Sequence, residues 1–292
     1  MGDLQMAPDA AVAVLDKDGG LTLTGADTAQ PVFSVTKMFL AAAALRLADS
    51  GRLDLEDEVS HWVPLAPSGI TVRELLNHTG GLPDYATSTA YLDAVARQPD
   101  RPWGLERILT VALEEGRSAR GRFRYSNLGY WLLGALVQDI TDAPLEGALA
   151  ALVFDPAGMG STFFPGPDTG LTETGYHTGW AGPAGAAWAT PHDLVVFLAV
   201  LLGGSLLSER SLTAMTTAVP VAAGPPWRKP GSGLGLMIDE EYRTFGHGGA
   251  GPGYTSAAMI TPDQGRAVAV IARSSAHVDP TALTLRLLRV GT

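Results

Sequence analysis

FSVTKMFLAAAALRLADSG, residues 33–51, reads as a helix that begins near Ser34 and stops at Ser50-Gly51. Its interior is rich in strong helix formers, and the Ser-Gly pair is an ordinary stop signal. Ser34 and Lys37 stand three residues apart, one turn along the same face, so a hydroxyl and an amine come within hydrogen-bonding reach. A helix start offers free backbone N–H groups and the positive end of the dipole, which favour an alkoxide or a developing oxyanion and ease proton loss from a lysine. Only Lys17, Lys37 and Lys229 are lysines, beside seventeen arginines. An amine where a guanidinium would be usual suggests that a titratable group is wanted. Taken alone, the pair also fits a helix-capping serine beside a surface lysine.

Outward from this helix the pattern changes on both sides. Ala11 to Leu15 and Leu21 to Thr24 flank the turn-forming DKDGG and predict a β-hairpin. Residues 53–188 contain the helical stretches ITVRELLNH, GLERILTVALEEG, NLGYWLLGALVQDIT and PLEGALAALVF, separated by Pro and Gly loops. After PHDLVVFLAVLLGG and SERSLTAMTTA come GLGLMID, YRTFGHG, SAAMITP and RAVAVIARS, which read as strands of one antiparallel sheet, with a last helix at Pro280 to Val290 packed on it. Strands at both ends with helices between predict an α/β domain of discontinuous chain, residues 1–52 and 190–292, joined to a mostly helical domain at 53–189.

Composition narrows the chemistry. With 292 residues and 46% hydrophobic side chains the chain can bury a sizeable core. A net charge of -10 disfavours nucleic acid and anionic membranes as partners. The absence of cysteine removes thiolate catalysis, disulfides and cysteine-ligated metals. The six histidines, His61, His78, His177, His192, His247 and His277, have no metal-ligand spacing, and the Gly-rich loops do not fit nucleotide fingerprints. Neither a metal nor a cofactor is expected. No membrane span is expected either, for want of an apolar run of about 20 residues. Met1 to Gly20 lacks the features of a secretory signal, so a cytoplasmic location is expected, or a secreted one if a leader was removed.

FSVTK resembles the serine-lysine motif of the penicillin-recognising serine hydrolases, which include class C β-lactamases, D-alanyl-D-alanine carboxypeptidases, D-aminopeptidases and related esterases. RELLNHTGGLPDY resembles the helix and loop that follow the nucleophile in that family. FRYSNLGYWLLGALV carries its Tyr-x-Asn motif, and FGHGGAGPGYTS its third motif with His in place of Lys. PAGMGSTFF and GAAWATPHDLVVFL agree as well, so the resemblance runs from Ala11 to Ala276. It implies the β-lactamase/transpeptidase-like fold, an antiparallel sheet flanked by helices, with the active site between it and a helical second domain.

The resemblance implies Ser34 as nucleophile toward a small-molecule or short-peptide acyl substrate, with Lys37 and Tyr125 handling its proton. A phenol acting as base needs cationic neighbours such as Lys37 or a protonated His247 to lower its pKa. If water is the acceptor, Tyr125 is expected to activate it. Asn127 is expected to bond the lysine or a substrate amide, although Tyr125-Ser126-Asn127 also fits a plain helix cap. The backbone N–H groups of Ser34 and Ala250 are expected to form the oxyanion hole, with Gly249 admitting substrate backbone to the strand. His247 and Gly248 depart from the lysine and hydroxyl that usually engage a substrate carboxylate, which shifts the expectation from β-lactams toward esters, amides and D-amino-acid peptides. Two alternatives remain: a biosynthetic transacylase or peptide cyclase, and a sensor or non-catalytic binding module of the same fold. Arg117, Arg120, Arg122 and Arg124 either draw an anionic substrate or form a solvated loop. The sequence does not fix the oligomeric state.

Overall fold

The computed structural model describes residues 9–166 and 168–289. The start read as lacking a leader, up to Pro8, and the end of the last helix at Val290 lie outside them. The strands are β1 (Ala10–Leu15), β2 (Leu21–Thr24), β3 (Gln30–Pro31), β4 (Trp188–Ala189), β5 (Val219–Pro220), β6 (Pro230–Ser232), β7 (Met237–Asp239), β8 (Thr244–Gly251), β9 (Tyr254–Thr261) and β10 (Arg266–Arg273). Eight of them form one antiparallel sheet in the order β2-β1-β10-β9-β8-β7-β6-β5, and β3 pairs with β4 separately. The expected hairpin of β1 and β2 is present, and its far edge meets β10, which joins the two ends of the chain in one sheet.

The helices are α1 (Thr36–Asp49), α2 (Val72–Leu76), α3 (Thr89–Arg97), α4 (Leu105–Glu114), α5 (Asn127–Thr141), α6 (Leu145–Leu149), α7 (Asp155–Ala157), α8 (Pro191–Leu202), α9 (Glu209–Thr216) and α10 (Pro280–Arg289). α8 packs on β1, β9 and β10, and α10 packs on β9 and β10. That two-sided cover explains why RAVAVIA is apolar at successive positions: Ala267, Ala269 and Ile271 join the core that includes α8, while Val268 and Val270 join the core under α10. α10 thus covers one face of the sheet at β9 and β10.

α1 is buried almost all round, as its alanine-rich, nearly uncharged sequence requires. It touches α5, α9 and β8, so one hydrophobic core runs from the sheet through α1 into the helical layer. Phe39 anchors that junction, its ring edge-to-face with Phe154 at 5.3 Å and with Phe197 at 4.9 Å. Several short elements escape the sequence pattern, α3, β5 and β6 among them. α3 buries one residue, Tyr91, and β5 and β6 are two and three residues long, too short for periodicity to register.

Replacing Phe39 with Ala removes a fully buried ring from the contact of three segments. It is expected to destabilise the fold by about 3–5 kcal/mol, read as a lower denaturation midpoint with an unchanged slope.

Candidate active site

The chain enters α1 through a tight 3₁₀ turn, Phe33–Val35, so Ser34 sits just before the helix rather than in it. Phe33 has a φ of +45°, a left-handed conformation uncommon for a side chain of its size. The turn is clamped to the sheet because Ser256 Oγ of β9 donates to Val32 O at 2.8 Å. A Cβ on Gly249 would strike Val32 O and come within 3.0 Å of Ser34 N, and one on Gly251 would strike the Phe33 ring. The glycines of β8 therefore admit the backbone of the serine turn itself, which is a different reason from the substrate approach expected of Gly249.

One turn on, Lys37 is fully buried. Its Nζ lies 3.1 Å from Ser34 Oγ, 2.7 Å from Asn127 Oδ1 and 2.8 Å from Ala184 O. Burial lowers its pKa to about 7, against a smaller upward pull from the Asp84 carboxylate. An amine that is half neutral near physiological pH can accept a proton, as an ordinary surface lysine cannot.

Tyr125 reaches the same oxygen from the other side, its hydroxyl donating to Ser34 Oγ at 2.9 Å. The short stretch that carries it meets both sequence readings at once. Ser126 caps α5, accepting from Gly129 N at 3.4 Å and donating to Pro83 O at 2.8 Å, while Tyr125 and Asn127 on either side face Ser34 and Lys37. The Tyr125 ring lies against the buried His78, tilted by 31° with centroids 4.5 Å apart. Burial raises the Tyr125 phenol, in the direction opposite to that expected of a resting base.

His247 lies on β8 with its ring 6.4 Å from that of Tyr125. Its Nδ1 is 2.5 Å from Gly248 O, which can only accept, so the ring proton sits on Nδ1. Burial first, and then Lys37, push its pKa down to about 3. His247 is therefore neutral at physiological pH, and it cannot be the cation that was expected to lower Tyr125. Tyr125 and His247 also line a mostly apolar cavity with His78, Phe123, Trp227 and Ile238. β7 pairs with β8 only from Thr244 to Gly246, so the stretch from His247 through Gly249 and the exposed Ala250 to Gly251 runs on with one edge free of strand partners among the described residues.

Two contributors were not read from the sequence. Asp84 accepts from Asn127 Nδ2 at 3.1 Å through each carboxylate oxygen, and the Ala184 carbonyl bonds Lys37. In sequence Asp84 was simply part of RELLNHTGGLPDY, while in the structure it also caps the turn Tyr85–Thr87, and a backbone carbonyl leaves no residue-type signal. Of the arginine row, Arg120 is held by Glu74 at 2.7 Å and Arg124 donates to Gly116 O. The aromatic side chains Tyr85, Tyr176, Trp180 and Tyr254 are buried in packing, and Trp188 stacks on Phe163. No helix among the described residues is long and apolar enough to cross a membrane.

Comparison with known proteins identifies the family and the fold. The family described as Beta-lactamase matches residues 3–290. A D-stereospecific amidohydrolase from Streptomyces sp. superposes with a TM-score of 0.84 at 28% identity, covering 98% of this chain and 95% of that one. The D-amino acid amidase of Ochrobactrum anthropi SV3 gives 0.80 at 25% identity, covering 96% of each chain. "Probable hydrolase M10" of Phoma sp. is 28% identical over 86% of this chain and 50% of its own length. The chain spans about half the length, or less, of the curated relatives it matches. With the family matched from end to end and the fold shared with those amidases, this chain belongs to the β-lactamase family of serine hydrolases.

Proposed function

We propose that this protein hydrolyses small ester or amide substrates, D-amino-acid amides and peptides among them, through an acyl-enzyme on Ser34. The observation that carries this reading is the convergence of a fully buried Lys37 amine and the Tyr125 hydroxyl on one serine oxygen, at 3.1 and 2.9 Å. The oxyanion hole is assigned to the backbone N–H groups of Ser34 and Ala250, supported by the close approach of the serine turn to β8.

A neutral amine has two N–H groups and one lone pair. Asn127 Oδ1 and Ala184 O can only accept from it, so they take the two N–H groups and the lone pair is left for Ser34. Lys37 accepts the Ser34 proton as Oγ bonds to the acyl carbon. Tyr125, protonated at rest, gives its phenolic proton to the departing amine or alkoxide, which leaves a Tyr125 phenolate beside a Lys37 ammonium. Their separation, 5.0 Å from Nζ to the ring centroid, lets each charge stabilise the other. An incoming water then loses a proton to the phenolate as its oxygen attacks the acyl carbon, and collapse returns the Lys37 proton to Ser34 Oγ. Tyr125 thus activates water in the acyl-enzyme, although burial keeps it protonated at rest.

The neutral His247 and the apolar cavity support an uncharged, apolar substrate group there in place of a carboxylate. The same cavity favours a second reading, acyl transfer to a bound amine or alcohol, because it restrains water.

Intact mass after incubation with a short-chain p-nitrophenyl ester or an active-site phosphonate is expected to show an adduct on the wild type and none on Ser34→Ala, with turnover lower by at least about 10³-fold in the variant. An adduct on Ser34→Ala defeats the assignment. Added amine and alcohol acceptors divide the two readings, since transfer products in excess over acid favour the second.

Lys37 acts as a base only when unprotonated. The rate of acylation is expected to rise with pH to a plateau, with an inflection at about 7, and to fall about tenfold per unit well below it. Lys37→Arg, a permanent cation, is expected to remove that rising limb together with nearly all activity, checked by a pH–rate profile from 5 to 9.

Lengthening the apolar portion of ester probes is expected to raise kcat/KM until the cavity fills, and Ile238→Asp to reverse the trend by placing a carboxylate in the apolar wall.

A further inference from the structure

A primary amide has nearly the same shape in its two flipped orientations, so its neighbours decide which end faces which way. Asn127 stands between an amine and a carboxylate. Its Nδ2 lies 3.1 Å from both oxygens of Asp84, and its Oδ1 lies 2.7 Å from Lys37 Nζ. Asp84 can only accept, so the amino end must face it and the carbonyl end must face Lys37. The carboxylate is itself pinned, since Oδ1 also accepts from Asn127 N and from Ala86 N, each at 3.3 Å. These bonds tie it to the first residue of α5 and to the turn after its own position, and the start of a helix is a favourable place for a negative charge.

The consequence lies one bond further on. With the amide in this orientation, Lys37 meets two oxygens that take its N–H groups, and its lone pair is left toward Ser34 Oγ at 3.1 Å. With the amide flipped, an amino group would face the amine. The lone pair would then turn to Asn127 Nδ2, and an N–H would turn to the serine. We propose that Asp84 is a positioning residue that sets the Asn127 amide and so aims the Lys37 lone pair at Ser34, a role that rests on the reading of Ser34 as nucleophile and Lys37 as base.

The charge of Asp84 works alongside its geometry. Lys37 is faced by the Tyr125 and Tyr130 rings, 5.0 and 5.3 Å from Nζ, by His78 after α2, by His247 on β8, and by Asp84 ahead of the turn Tyr85–Thr87. Burial keeps both histidines neutral and both phenols protonated at physiological pH. Asp84 is the acidic group that raises the lysine, so its removal moves the Lys37 inflection below about 7.

The test is the rate of labelling by an active-site phosphonate, per labelled site, from pH 5 to 9, in wild type, Asp84→Asn and Asp84→Ala, with Ser34→Ala as the blank. Asp84→Ala is expected to label roughly 10–100-fold more slowly on the plateau, the size of loss found when a group that orients a metal ligand is removed, with its inflection at lower pH. Asp84→Asn keeps an oxygen for Asn127 but not the charge, so it is expected to show the same shift with a smaller loss of plateau rate. Wild-type rate and inflection in both variants overturn the proposal. So does a loss confined to the fraction of protein that labels, with rate and inflection unchanged, because that pattern marks a folding role. Labelling of Ser34→Ala at the wild-type rate instead overturns the nucleophile assignment, and the proposal with it.

Discussion

The arrangement depends on one amine held out of water. Lys37 is fully buried, and its Nζ meets oxygens from three separate parts of the chain: the serine turn, the first residue of α5 and the carbonyl of Ala184. Burying an ammonium without such partners would cost several kcal/mol, and a buried lysine relieves that penalty by giving up its proton. The fold supplies enough oxygen to hold the side chain in place and too little charge to keep it fully protonated. A pKa of about 7 is the balance between those two requirements.

Holding that amine against a serine imposes conditions on the sheet. The serine turn has to lie on β8, and it can do so only because Gly249 and Gly251 have no side chains where its backbone and the Phe33 ring sit. β7 ends its pairing at Gly246, which leaves the rest of β8 free on one edge beside the site. The motif FGHGGAGPG is thus a packing requirement before it is a recognition element. The histidine in that strand has lost its proton to burial and bonds its own strand, so the face it presents to the cavity is neutral and apolar in company with Phe123, Trp227 and Ile238. A lysine in that place would present a cation to the cavity, whereas the buried histidine presents none.

Much of the architecture was legible because long elements leave strong periodic signals. α1, α5, α8 and β8 to β10 all appear where the pattern of apolar residues and turn formers puts them. Of the site, Ser34, Lys37, Tyr125 and Asn127 were legible by motif, since each is a side chain in a short stretch of definite spacing. Asp84 was not, because a carboxylate beside a turn looks the same in sequence whether it caps that turn or orients an amide 43 residues away. The Ala184 carbonyl is invisible for a deeper reason, as every residue has one.

The sequence by itself determined which groups are available: a serine and a lysine one turn apart, a tyrosine two residues before an asparagine, a glycine-rich strand, and no cysteine. Those are matters of residue type and spacing, which local chain geometry converts directly into helix faces and turns. The protonation states were decided by tertiary structure alone. Burial, which no linear pattern specifies, lowered Lys37 and His247 and raised Tyr125, which is why the proposed mechanism starts from the amine where the sequence had left the base open between amine and phenol.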